Sequence, residues 1–121
     1  MALKVYEYSG CSTCKKALKF LAEHEVSFEA VPIVEQPPTK GELKMMLGFL
    51  KEQGGSLKNL FNTSGLLYKE MKISEKFAKM SEDEALTLLS KHGKLVKRPF
   101  LLSKNFGLVG FKQDQWEEQL L

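Results

Sequence analysis

Between Leu3 and Ala30 the chain changes its hydrophobic period twice, which leaves few folds open to it. Leu3-Lys4-Val5-Tyr6-Glu7-Tyr8 alternates like a strand. From about Ser12 to His24 the apolar positions recur at helical spacing, with Cys14, Ala17, Leu18 and Leu21 on one face. Val26, Phe28 and Ala30 then alternate with Ser27 and Glu29, as in a second strand. Two strands joined by one helix form a β-α-β unit, with parallel strands and a right-handed crossover.

The chain's 2 cysteines, Cys11 and Cys14, both sit at the strand-to-helix turn of this unit. A cysteine there meets unpaired backbone N–H groups and the positive end of the helix dipole, and both favour a thiolate. Lys15 and Lys16 add positive charge one turn away. Cys14 falls on the apolar face, so it is the more buried of the two and can reach Cys11. These positions make Cys11 the nucleophile toward a disulfide or another electrophile, and Cys14 the thiol that resolves the mixed disulfide. A structural zinc site needs four ligands, usually from paired motifs. No second C-x-x-C exists, and His24 and His92 lack a partner at ligand spacing, so no metal is expected.

The remaining segments extend the α/β pattern. Pro37-Pro38 breaks the chain, and Thr39 with Glu42 makes a capping box for a helix whose apolar face is Leu43, Met46, Leu47 and Leu50. Gln53-Gly54-Gly55 ends it. Residues 56–80 read as short helical pieces, with Leu57, Leu60, Phe61, Leu67, Tyr68, Met71 and Phe77 buried. Ser81 with Glu84 caps another helix, carrying Ala85, Leu88 and Leu89, with Gly93 as its C-terminal cap. Phe100-Leu101-Leu102 and Leu108-Val109 flank a turn and read as a hairpin. Asp114 with Glu117 caps a last helix bearing Trp116 and Leu120. The expected fold is one α/β domain over residues 1–121, thioredoxin-like. Its mixed sheet is built from a β-α-β half and a β-β-α half, with a helical insertion over about 39–93.

Composition excludes several function classes. The formal charge is +3, too small to indicate direct nucleic-acid binding. No apolar run reaches the roughly 18 residues of a membrane span. Met-Ala-Leu-Lys lacks the apolar stretch of a signal peptide. A cytoplasmic monomer acting on a small thiol or disulfide is the expectation, without a permanent disulfide.

Of the 18 basic residues, Arg98 alone is an arginine. It precedes Pro99 and an apolar strand. In a thioredoxin-like fold that loop faces the cysteine, where a guanidinium can stabilise a thiolate or hold an anion through two hydrogen bonds. A surface salt bridge is the plainer alternative. Asn62-Thr63-Ser64-Gly65 suits either a simple turn or polar contacts to a substrate.

Several stretches together carry a family likeness: Tyr8-Ser9-Gly10-Cys11-Ser12-Thr13-Cys14-Lys15-Lys16-Ala17, Glu35-Gln36-Pro37-Pro38, Leu60-Phe61-Asn62-Thr63-Ser64-Gly65, Val96-Lys97-Arg98-Pro99 and Leu108-Val109-Gly110-Phe111. On these the chain resembles the arsenate reductase/Spx family of bacterial thioredoxin-fold proteins, nearest its YffB-type arsenate reductase-like branch. The resemblance implies a catalytic Cys11 with Cys14 and Arg98, a cis Pro99, and substrate contacts from Thr13, Asn62 and Pro99. It implies no bound cofactor, with glutathione as the candidate reductant. Two further arginines of true arsenate reductases fall near Asn62 and Gly110, where this chain has no cation, so efficient arsenate turnover is not expected. The Spx side of the family implies the other outcome. There the C-x-x-C is a redox switch, the partner is RNA polymerase, and a glycine of the helical insert, matched loosely by Gly54 or Gly55, contributes to that contact.

Overall fold

Strand β1 (Leu3–Glu7) is the axis of the sheet and pairs on both edges. It runs parallel to β2 (Phe28–Pro32), with Leu3 opposite Phe28 and Glu7 opposite Pro32. It runs antiparallel to β3 (Phe100–Leu102), with Tyr6 opposite Phe100, and β3 forms a hairpin with β4 (Gly107–Val109). The sheet order is β2-β1-β3-β4. These features come from a computed structural model, which describes residues 3–121.

Helix α1 (Ser12–Glu23) links β1 to β2. Between β2 and β3 lie α2 (Lys40–Glu52), α3 (Leu66–Glu70), α4 (Ile73–Lys76) and α5 (Glu82–Lys91), with 3-10 turns at Leu57–Leu60, Phe77–Lys79 and Gly93–Leu95. Helix α6 (Gln113–Leu120) follows β4. This is the α/β arrangement expected, with β-α-β and β-β-α halves in one mixed sheet. No helix among the described residues is long and apolar enough to cross a membrane.

Both faces of the sheet are covered. Leu3, Val5 and Leu101 join Ala17, Phe20 and Leu21 of α1 and Trp116 of α6 on one face. Tyr6, Val31, Phe100 and Leu102 pack against Leu43, Met46, Leu47 and Leu50 of α2, and against the helices beyond it, on the other. β2 departs from the expected phase: it is an edge strand, largely exposed, in which Ala30 faces solvent and Val31 is the residue buried against the α2 side.

Local signals decide the helix starts. The Thr39–Glu42 and Ser81–Glu84 capping boxes both form. The expected Asp114–Glu117 cap does not: α6 starts earlier, with Lys112 at the N-cap and Asp114 inside the first turn. On α1 and α5 the deeply buried faces rotate slightly from expectation. Phe20 and Leu86 are buried, whereas Leu18 and Leu88 pack only at the core margin. Gly93 also differs from its expected role. The C-cap of α5 is His92, and Gly93 starts a 3-10 turn pressed on the chain just after β2, where a Cβ would overlap the Ile33 carbonyl.

Glu42 ties α2 to β1 as well as capping its own helix. Its carboxylate accepts hydrogen bonds from the Tyr6 hydroxyl at 2.6 Å, the Lys4 ammonium at 2.9 Å and the Thr39 N–H at 3.0 Å. Burial pushes the Glu42 carboxyl up, but these three donors together hold it below its usual 4.5. Tyr6 is pushed up to about 12, first by burial and then by the Glu42 carboxylate.

Two outcomes follow from this packing. A carboxyl held low in the folded state stabilises the fold above its unfolded value, and that stability is lost as pH falls through the folded value. The raised Tyr6 acts in the opposite sense, stabilising below its usual 10.0 and ceasing to do so as pH rises through about 12. Urea midpoints measured against pH should therefore fall less steeply below pH 4.5 in Glu42→Gln than in the unmodified chain. Gly93→Ala should cost about 2–3 kcal/mol in urea unfolding, since the new methyl must displace backbone.

Candidate active site

The turn leaving β1 places the Cys11 sulfur on the end of a helix. Cys11 N–H donates to the Tyr8 carbonyl at 3.0 Å, which closes the turn. Cys11 is the N-cap of α1 in extended conformation (φ −99°, ψ 114°), and its Sγ accepts the Cys14 backbone N–H at 3.3 Å. The sulfur thus takes the place of the serine or aspartate oxygen usual at such a cap. Cys11 is half-buried and free; Cys14, one turn on, is free and only 1% exposed.

The two thiols are driven apart in acidity. Burial pushes the Cys11 thiol up, but the Cys14 thiol, the Cys14 N–H and then the hydrogen bonding and charge of Arg98 outweigh it, leaving Cys11 below its ordinary 9.0. Cys14 is pushed up to about 12, by burial first and then by the neighbouring Cys11. A single negative charge on the pair therefore resides on Cys11. Lys15 and Lys16 are exposed and are not among the groups that move Cys11; the cation that does so is Arg98.

Arg98 sits between the Gly93–Leu95 turn and β3, followed by a cis bond to Pro99. Its guanidinium carbon lies 4.7 Å from the centre of the Tyr8 ring. Its Nη1 makes only a long hydrogen bond to the Lys94 carbonyl, at 3.5 Å, and its buried Nε has no partner. The ion pairs among the described residues are Lys4–Glu42, Lys40–Asp83 and Lys51–Glu82, so the surface salt bridge is not the role Arg98 takes.

Tyr8 is the site residue that sequence reasoning missed, because it reads as the end of a strand. Continuing the β1–β3 register by two residues from Tyr6 and Phe100 brings Tyr8 opposite Arg98. The ring also lies over Gly10, where a Cβ would stand 2.9 Å from the Tyr8 ring edge. The available signal was an aromatic beside the cysteine turn together with a lone arginine before a strand.

The residues 62–65 turn is held against the same loop. Asn62 N–H donates to the Leu95 carbonyl at 2.7 Å and Lys97 N–H to the Leu60 carbonyl at 2.7 Å, around a bridge between Phe61 and Val96. A cavity of about 340 Å³ results, lined by Cys11, Thr13, Asn62, Ser64, Arg98 and Gly110 among others. These six come from four segments far apart in the chain. Pro99 is buried and does not line the cavity; its carbonyl accepts the Gly110 N–H at 2.9 Å. His24 and His92 are helix C-caps, and no cluster of metal-binding side chains occurs among the described residues.

This arrangement makes the Cys11 thiolate depend on Tyr8 through Arg98. At neutral pH, Arg98→Ala should slow alkylation of Cys11 by iodoacetamide by on the order of tenfold. Tyr8→Leu should slow it roughly two- to fivefold, and Tyr8→Phe, which keeps the ring face, should restore it. Thiolate ultraviolet absorbance against pH checks that the change lies in ionisation: both slowed variants titrate higher.

The ArsC family model matches residues 6–119 of the chain. YusI of Bacillus subtilis, an uncharacterized protein, is 47% identical over 118 residues, covering 98% of each chain. The crystal structure of an ArsC family-related protein from Bacteroides fragilis superposes with a TM-score of 0.89 at 43% identity, covering 98% of this chain and 97% of the other. The global transcriptional regulator Spx of Streptococcus agalactiae is 29% identical over 105 residues, covering 87% of this chain and 73% of the regulator. With its thioredoxin-like fold, the chain is a thiol redox protein that belongs to the ArsC family.

Proposed function

We propose that the protein is a thiol–disulfide oxidoreductase in which Cys11 attacks and Cys14 resolves. The observation that carries this reading is the placement of two free thiols one helical turn apart, Cys11 at the N-cap of α1 lining a cavity and Cys14 buried beside it. An attacking thiol works best with a pKa near ambient pH. The Cys11 thiolate attacks one sulfur of a substrate disulfide and forms a new S–S bond, and the other substrate sulfur leaves as a thiolate. That step removes the negative charge from Cys11. Burial still holds Cys14 up, but the contribution of the Cys11 charge to its high pKa is gone. Cys14 then loses its proton, attacks Cys11 Sγ and expels the second substrate thiol. The substrate gains two electrons and two protons, and the enzyme is left with a Cys11–Cys14 disulfide.

Two molecules of glutathione would return the enzyme to its dithiol state, themselves becoming glutathione disulfide. The near-complete burial of Cys14 also favours a shorter route, in which glutathione resolves the mixed disulfide directly at Cys11. Arsenate fits this cavity less well. Asn62 and Gly110, where further arginines would clamp a tetrahedral oxyanion, both line it and bring no charge.

The similarity to Spx supports a second reading, in which the same thiol pair is a redox switch for a protein that binds RNA polymerase. The cavity at Cys11 favours the enzyme.

Turnover of hydroxyethyl disulfide with glutathione separates the readings. The unmodified protein should turn over, and Cys11→Ser should fall to the buffer background. Cys14→Ser should trap a glutathione adduct on Cys11, visible by intact mass, and should keep turnover if glutathione is the resolving thiol. No turnover by the unmodified protein, with co-purification of RNA polymerase subunits that depends on the oxidation state of the pair, would establish the switch instead.

A further inference from the structure

The cavity at Cys11 is one lobe of a longer groove. A second cavity of about 340 Å³ adjoins it, and Lys97, Val109 and Lys112 line both. The far lobe is closed by Gln53 and Gly54 after α2, by Asn59, and by Gln115 of α6. Its wall is braced across the chain: Gln115 Nε2 donates to Gln53 Oε1 at 3.2 Å, and Gln53 Nε2 donates to the Gly107 carbonyl at 2.9 Å.

The charge of this groove is one-sided. No Asp or Glu lines either lobe, in a chain with 15 acidic residues against 18 basic ones. Lys97, Arg98 and Lys112 carry its charge, and none of them belongs to an ion pair among the described residues. Asp114 and Glu117 are near in sequence on α6, but neither is a lining residue. A concave wall with cations of one sign focuses its field on the ligand. Within this wall the Arg98 Nε has no hydrogen-bond partner among the protein atoms.

We propose that the substrate is a low-molecular-weight thiol or its disulfide bearing an extended anionic tail. Its sulfur meets Cys11 in the first lobe. Its tail crosses between Lys97 and Lys112 and ends among the amides of Gln53, Asn59 and Gln115. Lysine ammoniums accept carboxylate or phosphate equally as point charges, and the side-chain amides serve the polar groups of the tail. A short thiol fills the first lobe only. This inference rests on Cys11 being the attacking thiol, because that fixes which end of the groove takes the sulfur.

Binding tests the tail separately from the chemistry. Calorimetry on Cys11→Ser should give tighter binding for reduced coenzyme A, with a long phosphate-bearing tail, than for reduced glutathione, with short carboxylate arms. Mercaptoethanol, which has no charge, should bind weakest. Adding Lys112→Gln should weaken coenzyme A by about tenfold and glutathione by less. Lys112→Arg should restore it, and Lys44→Gln, remote on α2, should not change it. A larger effect of Lys112→Gln on glutathione than on coenzyme A would assign the groove to carboxylates and overturn the long tail. Equal affinities for all three thiols would overturn the inference outright. So would a lysine dependence seen only with a protein disulfide substrate. Turnover of hydroxyethyl disulfide reports on Cys11 alone: if it is absent while the tail still binds, the nucleophile assignment has failed and the anion-binding groove stands.

Discussion

The antiparallel register between β1 and β3 is the constraint on which the site depends. β1 also lies parallel to β2, so α1 must begin at the C-terminal end of β1. β3 runs the other way, so its start lies at that same end, with Tyr6 opposite Phe100. The cysteine turn leaving β1 and the Arg98 loop entering β3 therefore meet without any loop reaching across the molecule. A shift of one residue would turn Tyr6 and Phe100 out of one core and into the other. Their edge-to-face packing, with ring centres 5.6 Å apart, and the Glu42 bond to the Tyr6 hydroxyl oppose that shift.

The helical segment between β2 and β3 serves the site through a small contact. The Phe61–Val96 bridge and its two flanking 2.7 Å hydrogen bonds fasten the residues 62–65 turn to the strand-like run before Arg98. Phe61 and Val96 are buried, so the bridge is shielded from water and the turn inherits the rigidity of the core. This is how Asn62 and Ser64, on a turn whose composition suits any loop, come to line the cavity with Cys11.

Much of this was legible in the chain because the signals are local. The cap residues Thr39 and Ser81 find their glutamates three residues on, and Leu43, Met46, Leu47 and Leu50 share a face whatever they pack against. Cys14 likewise read as the more buried thiol of the pair from the apolar face it shares with Ala17 and Leu21. Asp114 and Glu117 show the limit of such reasoning: the same spacing fails because α6 begins earlier, at Gln113. Gly93 was legible as a punctuating residue but not as a contact with the segment leaving β2, since nothing local reports the approach of Ile33. Tyr8, Lys97 and Lys112 were beyond reach for the same reason. Their positions depend on a strand register and on where two distant helices end.

The partner of Arg98 bears on how the site holds a thiolate. A carboxylate beside the guanidinium would fix it in place, but would also cancel much of its field at Cys11 and occupy the hydrogen-bond fork. An aromatic face orients the guanidinium plane with no countercharge. Tyr8 does this from the same turn that delivers Cys11, so cation and sulfur are positioned by one short segment. The field of Arg98 is then left for the thiolate and for an incoming anion. In the proposed attack the sulfur's charge disappears as it enters a mixed disulfide, and the guanidinium stays unpaired beside the departing thiolate. In the proposed reaction, the cation that lowers the Cys11 pKa is thus also in place to stabilise the leaving thiolate.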